Sequence, residues 1–445
     1  MISILLHLLM IVLGTLISSV LACIPALHIY NVASVVVVFI ATIYAKFPFI
    51  QEDPMYLMSF MLALVVGYSI VNTIPSVFLG APDEASVFMV MPGQKFLMLG
   101  KGYDAVLISA IGGLGAAAFL LFIFPLAPTF VPLLRNVIMP HLGWLLALVM
   151  AYMILSEFPK GGDIVAGPWA RFFDAWKSIG SGMLAMFLAG ILGMIMVYRP
   201  FVNVEMSFQN LMPAFVGLFA IPWVLQNILS NTSIPKQYIS RSIDLDADLI
   251  SRGTGSGALG GGFAAIFPLV TGGIGGLMAG HATAQHDERI FMLSQGVSKF
   301  IYYVGSFFLF FLPNNDITRG GMSWMLSTIY TPKGYYEYYL AIAAILISSA
   351  LAFYLTLLYT KWVIALIQKV PYQKISMATL FFLIFLVFAF TGLKGLLITY
   401  AATGIGLIPV VFNSRRSNLM GVLLIPITLN MLGIGPAVAK WMGLV

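Results

Sequence analysis

Long apolar stretches follow one another along nearly the whole chain, and short polar segments separate them. A membrane-spanning helix needs about 20 mostly apolar residues. Stretches near this length lie at 3–22, 55–74, 105–127, 141–156, 179–198, 208–229, 338–359, 376–393, 395–412 and 418–434. The polar segments between them reach at most about 25 residues, whereas a soluble domain usually needs about 50 or more. The pattern therefore predicts an all-α integral membrane protein with about ten to twelve transmembrane helices.

Composition supports the same class. The chain is 60% hydrophobic and 9% charged, and its mean hydropathy is +1.00, whereas a soluble domain has roughly 25% charged residues. We expect a multi-pass protein of the cell membrane, surrounded by membrane lipids. The net charge of +6 indicates basic loops that face the cytoplasm, and it does not imply nucleic acid. The single cysteine, Cys23, excludes an internal disulfide framework and a cysteine-based metal site.

Prolines interrupt several of the apolar stretches at related places in the two halves of the chain. Pro25 breaks "LACIPALHIYNVAS" in the first half, and Pro268 breaks "AAIFPLVTGGIGGLMAG" in the second. Further along each half, "GYSIVNTIP" and "GSFFLFFLP" each place a glycine eight residues before a proline, namely Pro75 and Pro313. Four landmarks in the same order indicate two structural repeats, although glycine and proline are frequent in membrane helices and could match by chance.

We expect these repeats to be inverted relative to one another in the membrane, with parallel repeats as the alternative. The predicted organisation is a first repeat with broken helices at 1–130, connecting helices at 131–235, a second repeat with broken helices at 236–360 and C-terminal helices at 361–445.

The broken helices predict an internal polar region. A proline removes one helical hydrogen bond and clashes with the preceding turn. In hydrocarbon, the freed backbone groups cost several kcal/mol unless they are buried in protein or line a wet cavity. A helix that starts at such a break also directs partly positive amides into that region, which suits a carboxylate or a phosphate. We therefore expect an anion-binding pocket or re-entrant segments at the breaks.

The residues around the breaks are the candidates for substrate binding. They are Pro25, His28, Asn31, Asn72, Ser76, Gly80, Thr271, Gly272, Asn314, Asn315 and Arg319. Each has a structural alternative. Asn72, Thr73 and Ser76 could only satisfy the backbone freed by Pro75, and the glycines after Thr271 could serve helix packing. Arg319, which could clamp a carboxylate, could instead pair with Asp316.

Asp83, Glu84 and Asp316 are the candidates for ion coupling, because carboxylates within membranes often bind cations or carry protons. The coupling ion is expected to be Na⁺ or H⁺, with no cofactor or bound metal. A solvated loop is the alternative for Asp83 and Glu84, since prolines and a glycine surround them. The sequence contains no P-loop, nucleophile elbow or HExxH motif, so ATP-driven pumping and the common hydrolase reactions have no support.

Three segments carry a family resemblance. The segments 74–113, 210–226 and 413–429, which begin "IPSVFLGAPDE", "NLMPAFVGLFA" and "NSRRSNLMGVL", resemble the permease subunit of tripartite tricarboxylate transporters, the TctA-type family, and in particular its archaeal branch. The resemblance implies a secondary transporter of carboxylates with duplicated halves. In bacterial systems it also implies a small membrane subunit and an extracytoplasmic binding protein. The positions that match the family's breaks are Pro25, Gly80, Pro82, Pro268 and Pro313.

The chain departs from the family pattern at the residue after the break proline. The family has glycine there, whereas this sequence has Ala26, Leu269 and Asn314, so the backbone approaches a substrate less closely. The favoured function is a secondary transporter, a symporter of a small organic anion driven by sodium or protons, and not an enzyme. The alternative is a translocator of an isoprenoid-phosphate lipid carrier, in which Lys95, Lys101 and Arg319 would serve the phosphate.

Overall fold

The computed structural model describes residues 2–25, 27–157, 159, 167–201, 211–230, 233–267, 270–313 and 320–445. Throughout these residues the regular structure is helical and no strand occurs, as the apolar pattern predicts. Eight helices in this part of the chain are long and apolar enough to span a membrane, and ten spans result when two bent helix pairs are each counted as one.

The helices, in chain order, are α1 (Ile2–Ala22), α2 (Ile29–Val38), α3 (Ile40–Lys46), α4 (Pro48–Glu52), α5 (Met55–Val71), α6 (Thr73–Phe78), α7 (Val90–Met98), α8 (Gly102–Ile123), α9 (Ala127–Ile138), α10 (Leu142–Leu155), α11 (Pro168–Tyr198), α12 (Leu211–Phe215), α13 (Ile221–Leu229), α14 (Ala247–Ile266), α15 (Gly272–Ala282), α16 (Glu288–Phe300), α17 (Ser306–Phe308), α18 (Gly320–Ser327), α19 (Tyr335–Lys369), α20 (Tyr372–Val411), α21 (Gly421–Met431) and α22 (Gly435–Trp441). A π-helical turn, Ile301–Gly305, joins α16 to α17.

Two of the predicted spans adjoin at a kink. The apolar stretches 376–393 and 395–412 both lie in α20, and the backbone of Gly392 is not helical, so two helices meet there. The φ angle of Gly392 is 64°, in the left-handed region that glycine tolerates without steric cost.

Contacts divide the chain into two compact units. The first is Met1–Arg135 with Thr232–Ile375, and the second is Asn136–Asn231 with Ser376–Val445. In the second unit, α21 packs on α11 through small residues: a Cβ on Gly193 would lie 1.9 Å from the carbonyl oxygen of Val422. The first unit holds every described residue of the candidate site.

Small residues also set the packing of the first unit, as is usual for helices in membranes. A Cβ on Gly67 of α5 would lie 2.1 Å from the Ser18 hydroxyl of α1, and one on Gly257 of α14 would lie 2.4 Å from the Ser294 carbonyl of α16. Helix α8 packs on α16, and α19 packs on α5. Helices from the first half of the chain, α5 and α8, thus pack on helices from the second half, α19 and α16. The two-repeat organisation itself stays a prediction.

Polar caps fix where the central helices begin. Asp287 accepts a hydrogen bond from the backbone N–H of Arg289 (2.7 Å) at the start of α16. The Arg289 guanidinium also donates to this carboxylate and so holds the pKa of Asp287 below its usual value. From this cap α16 runs to Phe300 and carries Lys299 in its last turn.

Candidate functional site

The site begins at the interruption between α5 and α6. We predicted a break at Pro75, but α5 ends at Val71 and α6 begins at Thr73, so the interruption lies at Asn72. The physical reason is that a proline ring clashes with the carbonyl four residues earlier and lacks the N–H that would bond to it. The interruption therefore precedes the proline by about one turn. Ser76 donates to the carbonyl of Asn72 (3.0 Å), which is the backbone-satisfying role named as its alternative.

Lys299 of α16 is the central cation of the site, and it is only 1% exposed. Its ammonium donates to Asn72 Oδ1 and to the Thr73 hydroxyl, the latter at 2.7 Å. The amide nitrogen of Asn72 in turn donates to Asp83 Oδ2. Asn72 therefore links a buried ammonium to a carboxylate. This role goes beyond satisfying the backbone groups freed by Pro75.

Sequence reasoning missed Lys299. The lysine lies in "SQGVSKFIYY", whose polar residues keep α16 outside the apolar spans that were recognised. One signal was present: Gln295, Lys299 and Tyr303 recur every four residues, which places them on one face of a helix. All three side chains are fully or almost fully buried.

Asp83 lies in the loop between α6 and α7, which turns at Gly80 with a φ angle of 63°. Its Oδ1 accepts from the backbone N–H groups of Ala85 (3.1 Å) and Ser86 (2.8 Å). The Ser86 hydroxyl also donates to Oδ1. On the other oxygen, Oδ2, the Tyr68 hydroxyl donates at 3.1 Å. Asp83 thus organises its own loop and faces the buried helices.

Glu84 is 9% exposed, so the loop is not the solvated segment considered as the alternative. Its Oε1 lies 3.0 Å from His28 Nε2 and 2.9 Å from the Tyr303 hydroxyl. The same hydroxyl lies 2.8 Å from Asp83 Oδ2. Tyr303 therefore stands between the two carboxyl groups.

His28 caps the half-helix α2. Its Nδ1 accepts the backbone N–H of Tyr30 at 3.1 Å, which fixes the tautomer because an accepting nitrogen of neutral imidazole carries no proton. The proton then sits on Nε2 and is donated to Glu84. His28 thus caps α2 and also contacts a carboxyl group.

The second half-helix, α15, begins in contact with the loop that carries Asp83 and with α16. Thr271 caps it by accepting from Ile274 N–H (3.4 Å). A Cβ on Gly272 would lie 2.9 Å from the Lys299 Cα, and one on Gly273 would lie 2.9 Å from the Ala85 carbonyl oxygen. These glycines allow the first turn of α15 to approach α16 and the loop of Asp83 closely. The glycines therefore serve helix packing, which was the alternative for them, and they also lie next to residues of the site.

The N-termini of α2 and α15 thus both contact residues of one buried polar cluster. Ligand atoms of His28, Asp83 and Glu84 lie within 4.8 Å of one another, a separation that could surround a small cation. Hydrogen bonds and the Tyr303 hydroxyl occupy the space between them. The three side chains and the Tyr303 hydroxyl thus form one connected hydrogen-bonded cluster.

The remaining predicted residues have the following positions. Pro25 lies in the turn between α1 and α2, and Pro313 follows the last turn before the gap at 314–319. Asn31, in the first turn of α2, is 1% exposed, and its amide nitrogen has no partner among the described residues. The predicted site residues outside the described part of the chain are Asn314, Asn315, Asp316 and Arg319, and Pro268 also lies outside it.

The spans and the internal cluster define a multi-pass membrane protein with a buried polar site between half-helices. The chain matches the model of the Tripartite tricarboxylate transporter TctA family over residues 8–421, and it belongs to this family. A relative that is 25% identical over 428 residues, which cover 95% of this chain and 98% of the relative, is the "Uncharacterized protein MJ1079" of Methanocaldococcus jannaschii. No solved structure shows a significant match to the chain.

Proposed function

We propose that this protein is the permease of a secondary transport system and moves a small organic anion, of the carboxylate class, across the cell membrane with a Na⁺ or H⁺ gradient. Membership of a tricarboxylate transporter family supports the transport of carboxylates. The observation that carries the proposal for this chain is the buried Lys299, whose ammonium donates to Asn72 and Thr73 where α5 and α6 are interrupted.

The surroundings of Lys299 suit a carboxylate. A buried charge is costly unless it is compensated, and charged residues inside membranes usually mark substrate or ion pathways. Lys299 donates to neutral oxygens of Asn72 and Thr73, so an arriving carboxylate could replace one of these weaker acceptors. The first turn of α15, whose amides carry partial positive charge, packs against the backbone of Lys299.

Asp83 and Glu84 supply the other half of the proposed cycle. Two carboxyl groups next to an anion site would repel the substrate, unless a cation neutralises one of them. Binding of a cation and binding of the anion would therefore favour one another, and this coupling is what a symporter requires. We propose the same site for both events, with the inverted repeats providing the two half-helices.

The family also suggests partners. Tripartite systems of this family work with a small membrane subunit and a binding protein, and we propose such partners for this chain. The alternative of an isoprenoid-phosphate translocator draws no support from the family match.

The first experiment is a thermal-stability screen of the purified protein against di- and tricarboxylates and isoprenoid phosphates. A ligand at about 100 times its Kd stabilises the folded state by roughly 2.7 kcal/mol. Hits are then tested for uptake into proteoliposomes under separate Na⁺ and H⁺ gradients. Lys299→Met should abolish both stabilisation and uptake, whereas Lys440→Met, which changes an exposed lysine of α22, should leave both intact. Wild-type uptake by Lys299→Met would refute the proposed role.

A further inference from the structure

The Tyr303 hydroxyl has more close oxygen neighbours than it has protons. It lies 2.8 Å from Asp83 Oδ2 and 2.9 Å from Glu84 Oε1, and both distances are those of a hydrogen bond between oxygens. A phenol hydroxyl carries a single proton and can donate to only one of the two carboxyl groups. The other contact would bring two oxygen lone pairs together with no proton between them. One carboxyl group must therefore supply a proton.

His28 does not supply this proton to the gap. Its Nδ1 is occupied by the backbone N–H of Tyr30, and its Nε2 proton points to Glu84 Oε1 at 3.0 Å. Nε2 also lies 3.3 Å from the Tyr303 oxygen, which can only accept from it. The imidazole thus fills one acceptor position of Glu84 and leaves the proton deficit between Tyr303 and the two carboxyl groups unchanged.

The donors around the two carboxyl groups show which of them holds the proton. Asp83 accepts from two backbone N–H groups, from Ser86, from Tyr68 and from Asn72, and such donors stabilise a carboxylate anion. In the described part of the chain, the Glu84 carboxyl group has fewer donors, namely the His28 imidazole, the Tyr303 hydroxyl and its own backbone N–H. Asp83 is therefore the ionised partner, and Glu84 is the neutral acid.

Charge balance leads to the same assignment. The Asn72 amide joins the Lys299 ammonium to the Asp83 carboxylate, and this forms one compensated pair. A second ionised carboxyl group in the same buried region would lack compensation by the described residues, which is costly. In the described part of the chain, the titratable groups that face Glu84 are His28, Tyr68, Asp83 and Tyr303. Tyr30 and Tyr302 contact the Tyr303 ring, and Lys299 reaches Asp83 through Asn72.

We infer that Glu84 carries a proton, which it donates to the Tyr303 oxygen while Tyr303 donates its own proton to Asp83, and that this proton is the coupling cation of the transporter. The coupling part of the inference rests on the proposed function. The proton enters on Glu84 from the compartment that supplies the anion and leaves with the anion on the other side. Loss of the proton places two anionic oxygens on one hydroxyl, so repulsion favours a conformation in which Tyr303 releases one of them.

The protonation is tested without transport, by infrared spectroscopy of the purified protein at neutral pH. A protonated carboxylic acid has a C=O stretch that is separate from the carboxylate bands, and it should be present in the wild type and lost in Glu84→Gln. Glutamine can donate its amide proton to Tyr303 as the neutral acid does, so this variant should fold, which size-exclusion chromatography checks. The matched control is Glu157→Gln: Glu157 is also buried but accepts the Arg415 backbone N–H, and its replacement should leave the band in place. A wild type without the band, or a band that persists in Glu84→Gln, would overturn the inference.

The coupling is tested on wild-type protein in proteoliposomes, which requires no variant. Uptake of a carboxylate that rises at least tenfold with an inward proton gradient and does not respond to sodium would support the inference. Uptake driven by sodium without any effect of the proton gradient would overturn proton coupling and leave the proposed function standing. No uptake of any carboxylate under either gradient would overturn the proposed function, even where the infrared band is present.

Discussion

The contact between α14 and the half-helix α15 allows a sharp test of the packing that holds the site. A Cβ on Gly260 of α14 would lie 2.5 Å from the carbonyl oxygen of Gly275 in α15. A Cβ on Gly262, in the same helix, would have no neighbour within 4 Å. Gly260→Ala and Gly262→Ala therefore form a matched pair that differs mainly in the approach of α15.

The expected magnitude follows from that geometry. Replacing glycine by alanine inside a helix contributes about 1 kcal/mol of helix propensity in both variants, so this term cancels in the comparison. At Gly260 the methyl group meets the backbone of α15, which cannot rotate away, and overpacking of this kind typically costs about 1–3 kcal/mol. We expect Gly260→Ala to be less stable than Gly262→Ala by that amount.

The assay is thermal unfolding of both variants in the same detergent, followed by uptake of the identified anion. Because α15 places Gly272 against Lys299, its displacement should lower uptake in Gly260→Ala while Gly262→Ala transports like the wild type. Equal melting temperatures for the two variants would refute the close α14–α15 contact. A lower melting temperature with wild-type uptake would refute the link from this contact to the site.

Two further substitutions test other contacts. Asp83→Asn should lower the initial uptake rate about tenfold or more. The amide nitrogen of asparagine would face N–H and O–H donors whose hydrogen bonds the carboxylate accepts, and each hydrogen bond to a charged group contributes about 1.5–3 kcal/mol. An uptake rate equal to that of the wild type at matched expression would contradict this prediction. Gln237→Leu should lower the melting temperature, because Gln237 accepts from Gly102 N–H (2.9 Å) and donates to the Leu97 carbonyl (2.9 Å). Each buried polar group left without its partner costs about 1–3 kcal/mol. An unchanged melting temperature would show that the α7–α8 connection does not depend on this side chain.

Much of the architecture follows from local properties of the chain. The length of an apolar stretch reports the thickness of the bilayer that it must cross, so the helical membrane class is evident without coordinates. A proline lacks an N–H wherever it occurs, so the turn at Pro25 is also predictable. The position of the interruption at Asn72 is harder to predict, because the clash of the proline acts on the preceding turn.

The contacts of the site are different in kind. Asp83 and Glu84 attract attention in the sequence because they interrupt an apolar region, but their protonation depends on Tyr303, which lies 220 and 219 residues away. Lys299 and Asn72 are separated by 227 residues, and no local pattern relates them. Glycine-lined helix faces set these distances, since they decide how closely α14, α15 and α16 approach one another. Local chemistry can thus be inferred from the order of residues, whereas the partner of each buried charge depends on how the helices pack, because charge compensation acts through space and not along the chain.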